Sequence, residues 1–191
     1  MRSHSITSLS VAALLGIATR ALPAQLATAA PGPTPIGIAG LRPGIPASDG
    51  ELTPAVRAHV TRGDSLTGLQ RYAEAIREYR GAARIARAEG HLPSLTLWHL
   101  ASAHFYGGDP RRAAQVLDEL RTEAAGFGDL AVEAVALYNA AWLNGKAGRS
   151  REAGSQVAQL EKLLRSPYMP GDVRAFLAGR LSARSDVAVK Q

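Results

Sequence analysis

Histidine and acidic side chains are the residues of this chain that can act as a general base or bind a metal ion. Such a site needs several of these groups to converge. Two of the histidines, His99 and His104, are five residues apart, which turns them away from a common helical face, and no HExxH or paired-carboxylate pattern is present. We therefore predict no catalytic residue and no metal site, and interpret the histidines as surface or packing residues. The alternative is an enzyme or small-ligand site built from His59, Asp64, His99 and His104.

Other site chemistries are also disfavoured. The pair Gly107-Gly108 precedes Asp109-Pro110 without the Lys-Ser/Thr that would hold a phosphate, so it predicts a turn. The chain has no cysteine, which excludes disulfides, zinc-thiolate sites and thiol nucleophiles. Its net charge of +6 is spread along the chain, without a basic stripe interleaved with aromatics. We predict no cofactor and no nucleic-acid partner.

The composition favours a helical protein. Apolar residues make up 46% of the 191 residues, but only 5% are aromatic, and alanine is abundant. Small apolar side chains suit closely packed helices better than a β-sandwich or barrel. The length allows one ordinary domain plus extensions.

The N-terminus has the pattern of an export signal. A short basic start is followed by the apolar run Ile6 to Ala18, which is too short to span a bilayer as a stable anchor. We predict a signal peptide over residues 1–24, cleaved after Ala24 or alternatively after Ala29. Without a cysteine for lipid attachment, the product is expected to be periplasmic or secreted, with no integral membrane span after cleavage, unless an uncleaved segment remains as an anchor.

Residues 25–52 are rich in proline and glycine and lack an apolar period, so we predict a disordered linker. Ile36 to Ile38 suits a short strand but has no evident pairing partner. The folded domain is expected over 53–184, since Thr53 can cap a helix whose first turn holds Pro54. Residues 185–191 are predicted to be a disordered tail.

The chain repeats itself. Leu97 to Ala113 aligns without gaps with Leu137 to Ala153, 40 residues later, and a third copy, Val60 to Ala75, aligns at an offset of 38 residues in the other direction. Each copy has a small residue in a first helix (Gly63, Ala101, Ala141) and another in a second helix (Ala75, Ala113, Ala153). Glycine or a capping residue separates the two helices in the later copies, as at Gly108 and Gly148. The pattern predicts three helical hairpins with close helix contacts.

These residues resemble the tetratricopeptide repeat (TPR) family. The segment Gly63 to Ala83, GDSLTGLQRYAEAIREYRGAA, has the family's small residue, the Tyr-Ala-Glu-Ala-Ile run, and Tyr79 and Ala82 at the expected steps. The second and third copies lack the aromatic after the turn, and their spacing exceeds the roughly 34 residues typical of the family. The resemblance implies an all-α, right-handed solenoid of three TPR-like helical hairpins, and the helix after Pro170 is expected to cap it.

The resemblance also implies a concave groove lined by the first helix of each hairpin. The groove positions predicted to bind a partner are Arg57, Asp64, Trp98, Phe105, Tyr138, Asn139 and Trp142. Trp98 and Trp142 fit a core position between hairpins about as well as a groove position. The tether or tail of the chain is a further candidate to fill the groove.

We therefore expect an exported, non-enzymatic TPR-like scaffold that binds a peptide or protein partner in its groove. The small-ligand site named above and a self-associating structural solenoid are the alternatives. The sequence identifies neither the partner nor the oligomeric state.

Overall fold

The computed structural model describes the backbone of residues 47–188 and the side chains of residues 47–182. This part of the chain contains seven helices and no strand, which confirms the predicted all-α class. The predicted signal peptide, most of the predicted linker, including the short strand considered at residues 36–38, and residues 189–191 of the tail lie outside the described residues. The helices are α1 (Pro54–Gly68), α2 (Tyr72–Ala88), α3 (Ser94–Tyr106), α4 (Pro110–Phe127), α5 (Leu130–Lys146), α6 (Ser150–Leu164) and α7 (Gly171–Ala188).

Side-chain caps fix where several helices begin. Thr53 accepts a hydrogen bond from the Val56 amide and Pro54 occupies the first turn of α1, as the sequence predicts. Asp109 caps α4 in the same way, accepting from the Arg112 amide at 2.8 Å. Each cap satisfies an amide that the first helical turn leaves unpaired. The helix starts are therefore set locally.

The turns between α1 and α2, between α3 and α4 and between α5 and α6 each use a left-handed residue. Gly108 and Gly148 have φ of 88° and 73°, a conformation that costs glycine little. The turn between α1 and α2 has no glycine at this position, and Gln70 adopts φ 59° instead. The first copy also turns before Tyr72, as the repeat predicts, but a non-glycine residue takes the left-handed conformation there.

Consecutive helices from α1 to α6 pack against each other, and further contacts join α1 to α3 and α5 to α7. The small residues of the repeat lie at these contacts. A Cβ added to Gly63 would lie 2.4 Å from the ring of Tyr79, so only glycine allows this approach. Ala75, Ala101 and Ala113 are likewise buried in the core between α2 and α5.

Helix α7 packs on α5 and α6 through Val173 and Leu177, which are buried with Leu160 and Met169. It continues to Ala188, so residues 185–188, which we expected in the tail, are helical. The reason is local, because no glycine or proline follows Gly179 to end the helix. None of the described helices has the length and apolarity needed to cross a membrane.

The segment 47–52, expected to belong to the linker, contacts the start of α3. The carboxylate of Glu51 is fully buried and accepts hydrogen bonds from the amides of Thr96 (2.9 Å) and Leu95 (3.2 Å). The hydroxyl of Ser94 donates to the same carboxylate at 3.0 Å. Pro93, at the N-cap position of α3, makes no side-chain cap, so Glu51 supplies the cap from a distance in the sequence.

Candidate functional site

An aromatic cluster lies where α3 meets α5. The rings of Phe105 and Trp142 are 5.6 Å apart and tilted, and Tyr106 meets Phe105 edge to face at 5.3 Å. Trp98 lies two helical turns before Phe105 on the same helix. Trp98, Phe105 and Trp142 are half-buried against the core, while Tyr106 is 53% exposed. The cluster therefore has one side in the core and one side in solvent.

A recess of about 140 Å³ opens beside three of these rings, those of Trp98, Phe105 and Tyr106, and Trp142 does not line it. Trp98, Phe105 and Tyr106 line it on one side, and the aliphatic side chains of Leu117 and Leu143 form the rest of its apolar wall. The polar side chains in its lining are Ser102, Tyr106 and the indole of Trp98. A recess of this size accommodates a single apolar side chain, and aromatic walls are typical of the pockets that anchor partner residues.

Three residues in or next to the cluster, Tyr72, Tyr106 and Lys146, were not selected from the sequence. Tyr106 stacks on Tyr72 at 6.5 Å, and the ammonium of Lys146 lies 5.9 Å from the centre of the Trp142 ring. Lys146 follows Trp142 by four residues, the spacing that places two side chains together on a helix, so this contact has a signal in the sequence. The contact between Tyr72 and Tyr106 joins α2 to α3 and has no such local signal.

Two predicted groove residues lie inside the protein. Asn139 is fully buried and its amide donates to the Val135 carbonyl of the same helix at 2.8 Å, while Tyr138 is only 9% exposed. The expectation that they face a groove therefore does not fit their positions. The physical reason is that α5 is covered on several sides by α4, α6 and α7, so it buries residues around most of its circumference.

The remaining predicted positions, Arg57 and Asp64, are on α1 and exposed. The Arg57 guanidinium donates to the Leu52 carbonyl at 3.2 Å. Asp64 is held by two groups, since it accepts from the Tyr79 hydroxyl at 2.7 Å and lies 2.8 Å from Nδ1 of His99. Asp64 therefore joins α1 to α2 and α3.

Of the four residues considered for a small-ligand site, the structure brings together Asp64 and His99. His59 instead contacts the Glu78 carboxylate at 2.8 Å. His104 is only 7% exposed, and burial lowers its pKa. Within residues 47–182, no group of three His, Asp or Glu side chains is placed to hold a metal ion.

The comparisons with known proteins do not identify a relative. No family model matches the chain, and no curated protein or solved structure is significantly similar to it. The likeness to TPR proteins therefore depends on the repeated residues themselves, and the exposed residues of the described helices are the remaining indication of function.

Proposed function

We propose that this chain is an exported, TPR-like interaction module that binds a peptide or protein partner at the aromatic cluster of α3 and α5. The cluster consists of Trp98, Phe105, Tyr106 and Trp142. The observation that carries the proposal is that three of these partly exposed rings line a recess, while the fourth, Trp142, contacts Phe105. Large aromatic side chains contribute most of the binding energy at protein interfaces, because they bury much area at little cost in side-chain entropy.

The proposed architecture is a right-handed solenoid of three hairpins, α1–α2, α3–α4 and α5–α6, with α7 covering the last. The sequential packing of the helices and the small residues at their contacts support it. In such a stack the first helices of the hairpins share one face. The aromatic cluster, contributed by α3 and α5, then belongs to the face that repeat proteins commonly use for binding.

The chemistry of the surface limits which peptides can bind. The recess offers room for one apolar side chain, and Lys146 places a positive charge beside Trp142. We therefore expect a peptide that carries an apolar or aromatic anchor next to a carboxylate. The proposal assigns no catalytic step, metal or cofactor to the chain.

A displayed peptide library selected against the purified protein tests this. Selected peptides should carry the apolar anchor and acidic neighbour, and their binding should change the fluorescence of Trp98 and Trp142. Tyr106→Ser is expected to weaken the selected peptides about ten-fold, since central aromatic contacts contribute on the order of 1–2 kcal/mol or more.

Tyr168→Ser is the matched control, because Tyr168 is 84% exposed and lies after α6, outside the cluster. Its affinity for the selected peptides should equal that of the wild type. Two results would count against the proposal. One is that the selected peptides bind both variants equally well. The other is that the library yields no binder and the tryptophan fluorescence does not change.

The proposed export depends on residues 1–24 alone and has its own test. A chain that includes them should be recovered outside the cytoplasm of a bacterial host with its N-terminus at Gln25 or at Ala30. A chain that begins at Gln25 should stay in the cytoplasm. Recovery of the full chain in the cytoplasm with Met1 intact would contradict export.

A further inference from the structure

A second recess, lined by arginines, lies between α2 and α4. It has a volume of about 300 Å³, and its floor is formed by Leu97 and Leu100 of α3. Arg80 and Arg87 line it from α2 and Arg112 lines it from α4. Its size is at the lower end of the range for small-molecule sites. Its lining carries three arginines and one carboxylate, that of Glu119, so the recess has an excess of positive charge.

The three arginines differ in how their charge is balanced. Arg87 is paired with the carboxylates of Glu119 and Glu123, at 2.5 Å and 2.6 Å. Within the described part of the chain, Arg80 has no hydrogen-bond or ion-pair partner, and the Arg112 guanidinium donates only to the neutral side chain of Gln115, at 2.8 Å. Two guanidinium groups at one recess are thus left without a carboxylate.

The position of Arg112 adds to this imbalance. It lies in the first turn of α4, next to Arg111, where the helix dipole is positive. Cations are disfavoured at this end of a helix, and Asp109 offsets only part of their charge as the cap. An anion bound at the recess would be attracted by the arginines and by the helix end together.

A buried imidazole of α3, which does not itself line the recess, also lacks a partner. His104 follows Leu100 by four residues, a spacing that places the two side chains on the same face of α3. Its Nε2 is buried and has no hydrogen-bond partner among the residues that the structure describes. The pKa of His104 is lowered by burial and, in addition, by the charges of Arg80 and Arg112, which places it within their electrostatic reach.

We propose that this recess is a binding site for phosphate, either free or as the phosphoryl group of a small molecule, held by Arg80 and Arg112. A guanidinium group matches the geometry of phosphate oxygens with two parallel hydrogen bonds, and arginine is favoured where such recognition is needed. The site is separate from the aromatic cluster, so it does not depend on the proposed peptide binding.

Isothermal titration calorimetry with inorganic phosphate, in a chloride buffer of constant ionic strength, tests the site. Saturable binding is expected, and Arg80→Gln and Arg112→Gln should each weaken it about ten-fold or more, because a hydrogen bond to a charged group contributes on the order of 1.5–3 kcal/mol. Both side chains are exposed, so the variants are expected to fold, and a circular dichroism spectrum checks this.

Arg84→Gln is the matched control. Arg84 is an exposed arginine of the same helix, and it does not line the recess. Its removal lowers the net charge by the same amount and should leave phosphate binding unchanged. Free phosphate and glycerol phosphate are compared as ligands, and tighter binding of the second would identify a phosphorylated molecule as the better ligand.

Three results would overturn the site. The first is that titration with millimolar phosphate gives no saturable heat. The second is that Arg84→Gln loses as much phosphate affinity as Arg80→Gln does. The third is that the protein binds only to vesicles that contain phosphatidic acid. The second and third would indicate a general basic surface without a defined site. None of them bears on the peptide experiment, in which the cluster residues are changed instead.

Discussion

Replacing Glu51 with alanine should destabilise the helical domain markedly. The side chain is fully buried and caps α3 through the amides of Leu95 and Thr96 and the hydroxyl of Ser94. Loss of a cap costs about 1 kcal/mol, and leaving buried donors without their charged acceptor costs about 1–3 kcal/mol more. Relief of the buried charge offsets part of this. We expect the free energy of unfolding to fall by about 2–4 kcal/mol.

Urea denaturation followed by circular dichroism measures this change, and the thermal midpoint should fall by about 10 °C for a domain of this size. Glu89→Ala is the matched control, because Glu89 is exposed and accepts one hydrogen bond from the Thr53 hydroxyl, at 2.9 Å. It should cost about 0.5 kcal/mol. If Glu51→Ala changes the stability no more than Glu89→Ala does, Glu51 is not the cap of α3 and the reasoning fails.

Further changes test the packing and the pH dependence. Gly63→Ala should lower the free energy of unfolding by about 1–3 kcal/mol, because its Cβ would lie 2.4 Å from the Tyr79 ring. Gly154→Ala, in open space on α6, should raise it by about 0.5–1 kcal/mol, and equal effects of the two changes in urea denaturation would contradict the packing. Burial lowers the pKa of His104 below its ordinary value of 6.5. As the pH falls, the imidazole is therefore protonated in the unfolded chain before it is protonated in the folded one, and the free energy of unfolding decreases below about pH 6.5. Denaturation at a series of pH values should show a flatter profile for His104→Gln than for the wild type, and two parallel profiles would refute this assignment.

The sequence predicted the helices well where their limits are set locally. Thr53 and Pro54 mark the start of α1, and Gly108 and Gly148 mark turns, because capping and left-handed conformations depend on one residue and its neighbours. The contact of Gly63 with a second helix was also predictable, since the small residue recurs in each copy. These features require no knowledge of which helices meet later in the chain.

Positions that depend on distant contacts were not predictable in the same way. Asn139 has a polar side chain at a spacing that suits a groove, yet it is buried because other helices cover α5 from several sides. Glu51 stands in a proline- and glycine-rich segment, and no local pattern links it to a helix that begins at Ser94. The pairing of Asp64 with His99 likewise joins two helices, and helical periodicity alone does not indicate it.

Helix α3 connects the two proposed sites. Trp98 lines the aromatic recess and its neighbour Leu97 lines the basic recess, so the rotation of one 13-residue helix sets both. A shift of one residue turns a helical side chain by about 100°, and the first turn of α3 is held by Glu51. Glu51→Gln replaces one of the two acceptor oxygens of the carboxylate with a donating amide group. It should therefore weaken peptide and phosphate binding together. Tyr106→Ser should affect the peptide alone and Arg80→Gln the phosphate alone, and this pattern separates the placement of α3 from the chemistry of either recess.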